Sequence, residues 1–97
     1  MHKSNSQNIE RLYRAIMCLK DKEECRNFLE DICTVQEIEA IAQRLEVAGL
    51  IYAGKSYSEV NKLTGASTTT ICRVGKCINY GTGGYKTVID RLGENNA

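Results

Sequence analysis

The chain contains no proline and no tryptophan, and Phe28 is its one phenylalanine. Without proline, no position forces a helix to end or kink. The single histidine, His2, stands almost at the start. No Ser-His-Asp or Cys-His arrangement, H-E-x-x-H motif or Gly-rich phosphate loop can be assembled from these residues, so no enzyme activity is expected. No apolar run approaches the roughly 20 residues that span a bilayer. The polar opening, Met1 through Asn8, has no apolar signal core. A soluble, cytoplasmic protein with no membrane partner is the expectation. Cysteine is present five times, as Cys18, Cys25, Cys33, Cys72 and Cys77, without a C-x-x-C pair. An odd number in that spacing disfavours both a disulfide framework and a tetrahedral zinc site. The five read as buried or half-buried free thiols, with no metal and no cofactor.

What is present is the balance of a globular chain. Of 97 residues, 42% are hydrophobic and 26% charged, which suits one small domain over residues 1–97. A domain of this size buries a modest fraction of its surface, so association with a second copy is one option from the start. The net charge of +1 conceals an uneven distribution. Residues 1–54 carry seven basic and nine acidic side chains. Residues 55–91 carry six basic side chains (Lys55, Lys62, Arg73, Lys76, Lys86, Arg91) against Glu59 and Asp90. A basic stretch of this kind suits an anionic partner such as nucleic acid, although a solvated basic face has the same composition.

Apolar periodicity is helical throughout, and no segment alternates over a strand length. Ile9, Leu12, Ile16 and Leu19 form one stripe, predicting a first helix over about residues 8–20. Asp21 with Glu24 reads as a capping box opening a second helix, with Phe28, Leu29 and Ile32, that ends near Cys33. Thr34-Val35-Gln36-Glu37 is another box. The third helix it starts shows Ile38, Ile41, Ala42, Leu45, Ala48 and Gly49 on one face, and Gly54 stops it. Ser56-Tyr57-Ser58-Glu59 opens a short fourth helix holding Val60 and Leu63. After Thr64-Gly65-Ala66, Ser67 caps a fifth that carries Ile71, Val74 and Ile78 along one face and stops near Gly81. Thr82-Gly83-Gly84 is a hinge before a last helix with Tyr85, Val88, Ile89 and Leu92.

Residues 56–80 therefore have the form of a helix-turn-helix: a brace, a glycine turn and a second helix. In such a unit the second helix offers its first turns to base edges in the major groove. Short polar side chains let the backbone approach, and here they are Ser67, Thr68, Thr69 and Thr70. Threonine hydroxyls bond bases or phosphates, and their methyls meet thymine methyls. Free N–H groups at Ser67 favour phosphate. Lys55, Lys62 and Lys76 are candidate phosphate contacts on charge alone. The alternative is a structural helix hairpin.

The run over residues 34–80 resembles the tryptophan repressor family, and in particular its YerC/YecD group. The likeness rests on the Thr34-Val35-Gln36-Glu37 helix start, Ala42-Gln43-Arg44, and Leu63-Thr64-Gly65-Ala66-Ser67 at the turn. It implies an all-α fold of six helices and an intertwined homodimer binding double-stranded DNA. Carried over by position, it implies DNA-facing roles for Tyr57, Ser58, Thr68, Thr69 and Cys72. An effector site is implied at Thr34, Arg44 and Arg73, where a guanidinium would grip a carboxylate. The bland reading makes Thr34 a cap and pairs both arginines with carboxylates of the chain. This sequence has Val74 where the tryptophan-binding members have a glycine, and one step along a helix turns a position by about 100°, so Gly75 is no substitute. Tryptophan is therefore doubtful as a ligand. The expectation is a homodimeric transcriptional regulator, a repressor, on a pseudo-palindromic operator. Its rival is a protein-interaction module that kept the fold and lost operator binding.

Overall fold

The computed structural model describes residues 5–93. His2 and the tail at residues 94–97 lie outside the described residues. Among the described residues there are six helices and no strand: α1 (Asn5–Met17), α2 (Lys22–Ile32), α3 (Val35–Tyr52), α4 (Tyr57–Thr64), α5 (Thr68–Tyr80) and α6 (Gly84–Leu92). The fold is all-α, as the periodicity predicts. Contacts divide the chain into two compact units, Met1–Ile38 and Glu39–Ala97.

In the first unit, α1 starts and ends three residues earlier than the apolar stripe predicts. The N–H groups of Cys18 and Leu19 turn to Ala15 O and Ile16 O, both at 3.1 Å, closing the last turn tightly. Asp21 must then be extended, because it is the N-cap of α2. Its carboxylate accepts the Glu24 N–H at 2.8 Å. Glu24 Oε1 reaches one residue further back than in a capping box and accepts the Lys20 N–H at 2.9 Å. Neither α1 nor α2 has a buried residue. Ile9, Leu12, Tyr13, Ile16, Met17 and Ile32 are all exposed, although their spacing marks core positions. An open groove runs between the two helices past Leu12, Ala15, Cys18, Phe28 and Ile32.

At the head of α3 the predicted box forms: Thr34 Oγ1 accepts the Glu37 N–H (3.1 Å) and Glu37 Oε1 accepts the Thr34 N–H (2.7 Å). At its tail Gly54 adopts φ +95. Gly54 N–H bonds Ile51 O and Lys55 N–H bonds Leu50 O, both at 3.0 Å, a Schellman closure that a residue with a Cβ would strain. The face of α3 that turns inward overlaps the predicted one only in part. Ala48 is fully buried and Leu45 packs on the core as expected, Val47 is fully buried beside them, and Ile41 and Ala42 are exposed. Leu45, Leu50, Ile51 and Tyr52 pack around the core from the same helix. So many apolar side chains on one helix leave its period a poor guide to the buried stripe.

The core belongs to the second unit. Val47 and Ala48 from α3, Val60 from α4, Ala66 from the turn, Ile71, Val74 and Ile78 from α5 and Ile89 from α6 form one apolar cluster without a buried polar residue. A fully buried side chain of this class contributes about 1.5–3 kcal/mol. Helix α5 is its centre, packing on both α4 and α6. Of the apolar residues that mark α6, Val88 and Leu92 are half-exposed. The Gly83 hinge is an N-cap at φ +87 without a side-chain cap bond, and Gly84 is already helical.

Candidate nucleic-acid interface

Residues 56–80 form two helices held at fixed geometry by hydrogen bonds that are nearly all local. Ser56 and Glu59 make a complete capping box at the start of α4, each bond at 3.1 Å. The backbone N–H of Ser56 holds the Glu59 carboxyl below its ordinary pKa range, with smaller help from Lys55. The one acidic side chain of the stretch is thus anionic and committed to the helix start. At the other end Gly65 caps α4 at φ +72. Thr64 Oγ1 donates to Val60 O (2.7 Å) and accepts the Ala66 N–H (3.1 Å). Asn61 Nδ2 donates to Ala66 O (2.8 Å), and Gln43 Nε2 of α3 reaches Thr64 O at 3.4 Å. The turn is therefore tied back to α4 and to α3. Only Gly65 announced itself as a turn former in the sequence. Asn61 and Gln43 have no local signature that would reveal their roles.

Helix α5 then divides its surface in two. Ile71, Val74, Gly75 and Ile78 are buried. Thr68, Thr69, Cys72, Arg73 and Lys76 are exposed. At about 100° per residue, Thr68, Thr69, Cys72 and Lys76 fall on one continuous arc. Ser67 is exposed and accepts the Thr70 N–H at 3.1 Å as N-cap. Thr70 departs from the prediction: it is half-buried, and its hydroxyl accepts from Ser67 Oγ at 3.1 Å. It lies on the side of α5 that packs inward, because two residues on from Thr68 is a rotation of about 200°. On α4, Ser58 and Lys62 are exposed and Tyr57 is 43% exposed; Lys55 is exposed just before the helix. Leu63 is 62% exposed, and Val60 alone of that helix is buried.

The effector residues are placed one by one. Thr34 is engaged in its capping box. Arg44 is half-buried on α3 and Arg73 exposed on α5. Among the described residues neither guanidinium pairs with a carboxylate, contrary to the ion-pair expectation. Val74 is 1% exposed, so its side chain fills core space. Tyr57 leans on the bare backbone of Gly75, where an added Cβ would collide with the phenol. The cysteines are free thiols, and Cys18, Cys72 and Cys77 are exposed where burial was expected. Among the described residues no cluster of His, Cys, Asp or Glu is arranged to hold a metal. Nor is any helix there long and apolar enough to cross a membrane.

A six-helix chain with a tied turn and a cationic, threonine-bearing helix has the form of a helical DNA-binding regulator. The chain belongs to the Trp repressor protein family, whose model matches residues 7–93. That family consists of DNA-binding regulators that are not enzymes. The chain is 45% identical over 92 residues to the uncharacterized protein YerC of Bacillus subtilis (strain 168), covering 95% of this chain and 88% of YerC. Among solved structures it resembles a TrpR-like protein from Eubacterium eligens ATCC 27750, with a TM-score of 0.85 and 44% identity over 93% of each chain. A candidate Trp repressor from Staphylococcus aureus gives 0.84 and 39%, over 90% of this chain and 87% of that one.

Proposed function

We propose that the protein is a cytoplasmic, homodimeric transcriptional regulator, a repressor, that binds a pseudo-palindromic DNA operator through α4 and α5, acting as a helix-turn-helix. The observation that carries this is the division of α5: one side is the centre of the core, and the other is an exposed arc of Thr68, Thr69, Cys72 and Lys76. A helix braced in this way can enter the major groove without losing its own support. Ser67, with the open N–H groups that follow it, and the cations Lys55, Lys62 and Lys76 supply phosphate contacts. Tyr57 and Ser58 flank them from α4.

Homodimerisation is supported by the first unit, whose apolar side chains have no buried position among the described residues. A second copy would cover them, and the two recognition helices would then enter successive grooves about 34 Å apart. Tryptophan is not proposed as the effector, since buried Val74 takes the space that a glycine would leave. Arg44 and Arg73, both without a carboxylate partner among the described residues, keep a smaller anionic effector in view.

The test begins with selection of bound duplexes from a random pool, with and without amino acids, and light scattering of the free protein. A dimer that enriches one palindrome supports the reading. Changing Thr68 and Thr69 to Asp should abolish the gel shift, and unchanged affinity would remove α5 from the interface. A dimer without salt-dependent DNA affinity would favour the protein-interaction module instead.

A further inference from the structure

Gly75 stands in the middle of α5, is buried, and has no positive φ. Its backbone conformation therefore asks for no glycine, and glycine inside a helix is unfavourable relative to alanine. Space is what it provides. A Cβ built there meets the Tyr57 hydroxyl first, then its Cζ at 2.9 Å and Cε1 at 3.6 Å. Tyr57 is the first residue of α4, and its ring crosses to α5 at the end of the pair opposite the turn. Thr68 and Gly75 are seven residues apart, about two turns, so they share one side of α5. The notch consequently borders the exposed arc.

Resting on the DNA-binding reading above, we infer that Gly75 is a positioning residue for DNA recognition. Its bare backbone seats the Tyr57 ring beside the Thr68 row, so that the start of α4 and the reading arc of α5 form one continuous surface. The α4–α5 pair is then clamped twice. Asn61 and Thr64 hold it at the turn, and Tyr57 on Gly75 holds it at the open end. Gly75→Ala evicts the phenol, the far end of a rotatable side chain, while improving the helix propensity of α5. Recognition and folding should therefore respond in opposite directions.

The experiment uses the full chain and the duplex that wild type enriches from a random pool, with affinity read by fluorescence anisotropy and folding by thermal melting. Gly75→Ala should weaken binding about tenfold with no fall in melting temperature. The Gly75→Ala penalty should shrink in a Tyr57→Phe background, because removing the hydroxyl removes the nearest obstruction to the new methyl. A merely structural glycine would show no such dependence on residue 57. If Gly75→Ala does not fold, Tyr57→Ala empties the notch without touching α5 and should give a loss of similar size. Wild-type affinity in Gly75→Ala, a penalty independent of residue 57, or wild-type affinity in Tyr57→Ala each overturns the positioning role while leaving the regulator reading intact. A wild-type chain that enriches no duplex overturns both.

Discussion

Salt dependence is the quantity on which the proposed interface stands or falls. Three exposed lysines per subunit, Lys55, Lys62 and Lys76, are the proposed phosphate contacts, and the sole acid among them, Glu59, is engaged in its own helix cap. In a dimer this makes six contacts. Each phosphate neutralised on B-DNA contributes about −0.9 to the slope of log K against log salt, so the slope should be about −5. Between 50 and 200 mM salt the affinity should then fall about 10³-fold. Changing Lys76 to Gln in both subunits removes two contacts and should flatten the slope to about −3.6. The fluorescence anisotropy titration should be run on the enriched duplex and on a scrambled one, since losing a phosphate contact weakens binding to both. A slope shallower than about −2, or one indifferent to Lys76, would refute the assignment of these lysines to the backbone of the duplex.

Other outcomes follow from particular contacts. Gly65→Ala forces a Cβ into φ +72 and should cost about 1 kcal/mol, seen as a melting-temperature drop of about 4–8 °C. Ile71→Ala, at the centre of the core, should cost about 3 kcal/mol, whereas Leu63→Gln should stay within about 0.5 kcal/mol in denaturant titrations. Hydrogen bonding to the Asp90 carboxylate, with its charge, raises the Tyr52 phenol above its ordinary range. The neutral phenol is the favoured form in the folded chain, so its small contribution is present below the unfolded tyrosine value and lost as pH rises through the higher folded one. Ultraviolet titration should find Tyr52 ionising at lower pH in Asp90→Asn than in wild type.

Most of the architecture was readable where the determinants are local. Thr34 with Glu37 and Ser56 with Glu59 each lie within one turn of a helix start, so spacing alone identifies them. Gly54 and Gly65 mark chain reversals for a reason contained in a single residue, the absent Cβ. Misreadings arose where burial depends on partners far along the chain. Leu63 has the spacing of a core residue, yet α4 turns Val60 inward and leaves Leu63 outside. Val47 has no distinguishing period because α3 is apolar on more than one side, and its burial depends on the elements that share its cluster. The same holds for the candidate interface. The exposed threonines followed from the cap at Ser67 and the period of α5, but Thr70 turned inward with its hydroxyl on the cap. Tyr57 and Gly75, eighteen positions apart, carry no sign of each other until the helices are folded together.

The segregation of duties along α5 has a consequence for how such a protein changes. No hydrogen bond ties the side chains of Thr68, Thr69 or Cys72 to the rest of the described chain, and none of the three belongs to the apolar cluster. Replacing them carries little architectural penalty. New target preferences can therefore arise by swapping a few outward letters on an unchanged frame, and a library randomised at those positions should remain largely foldable.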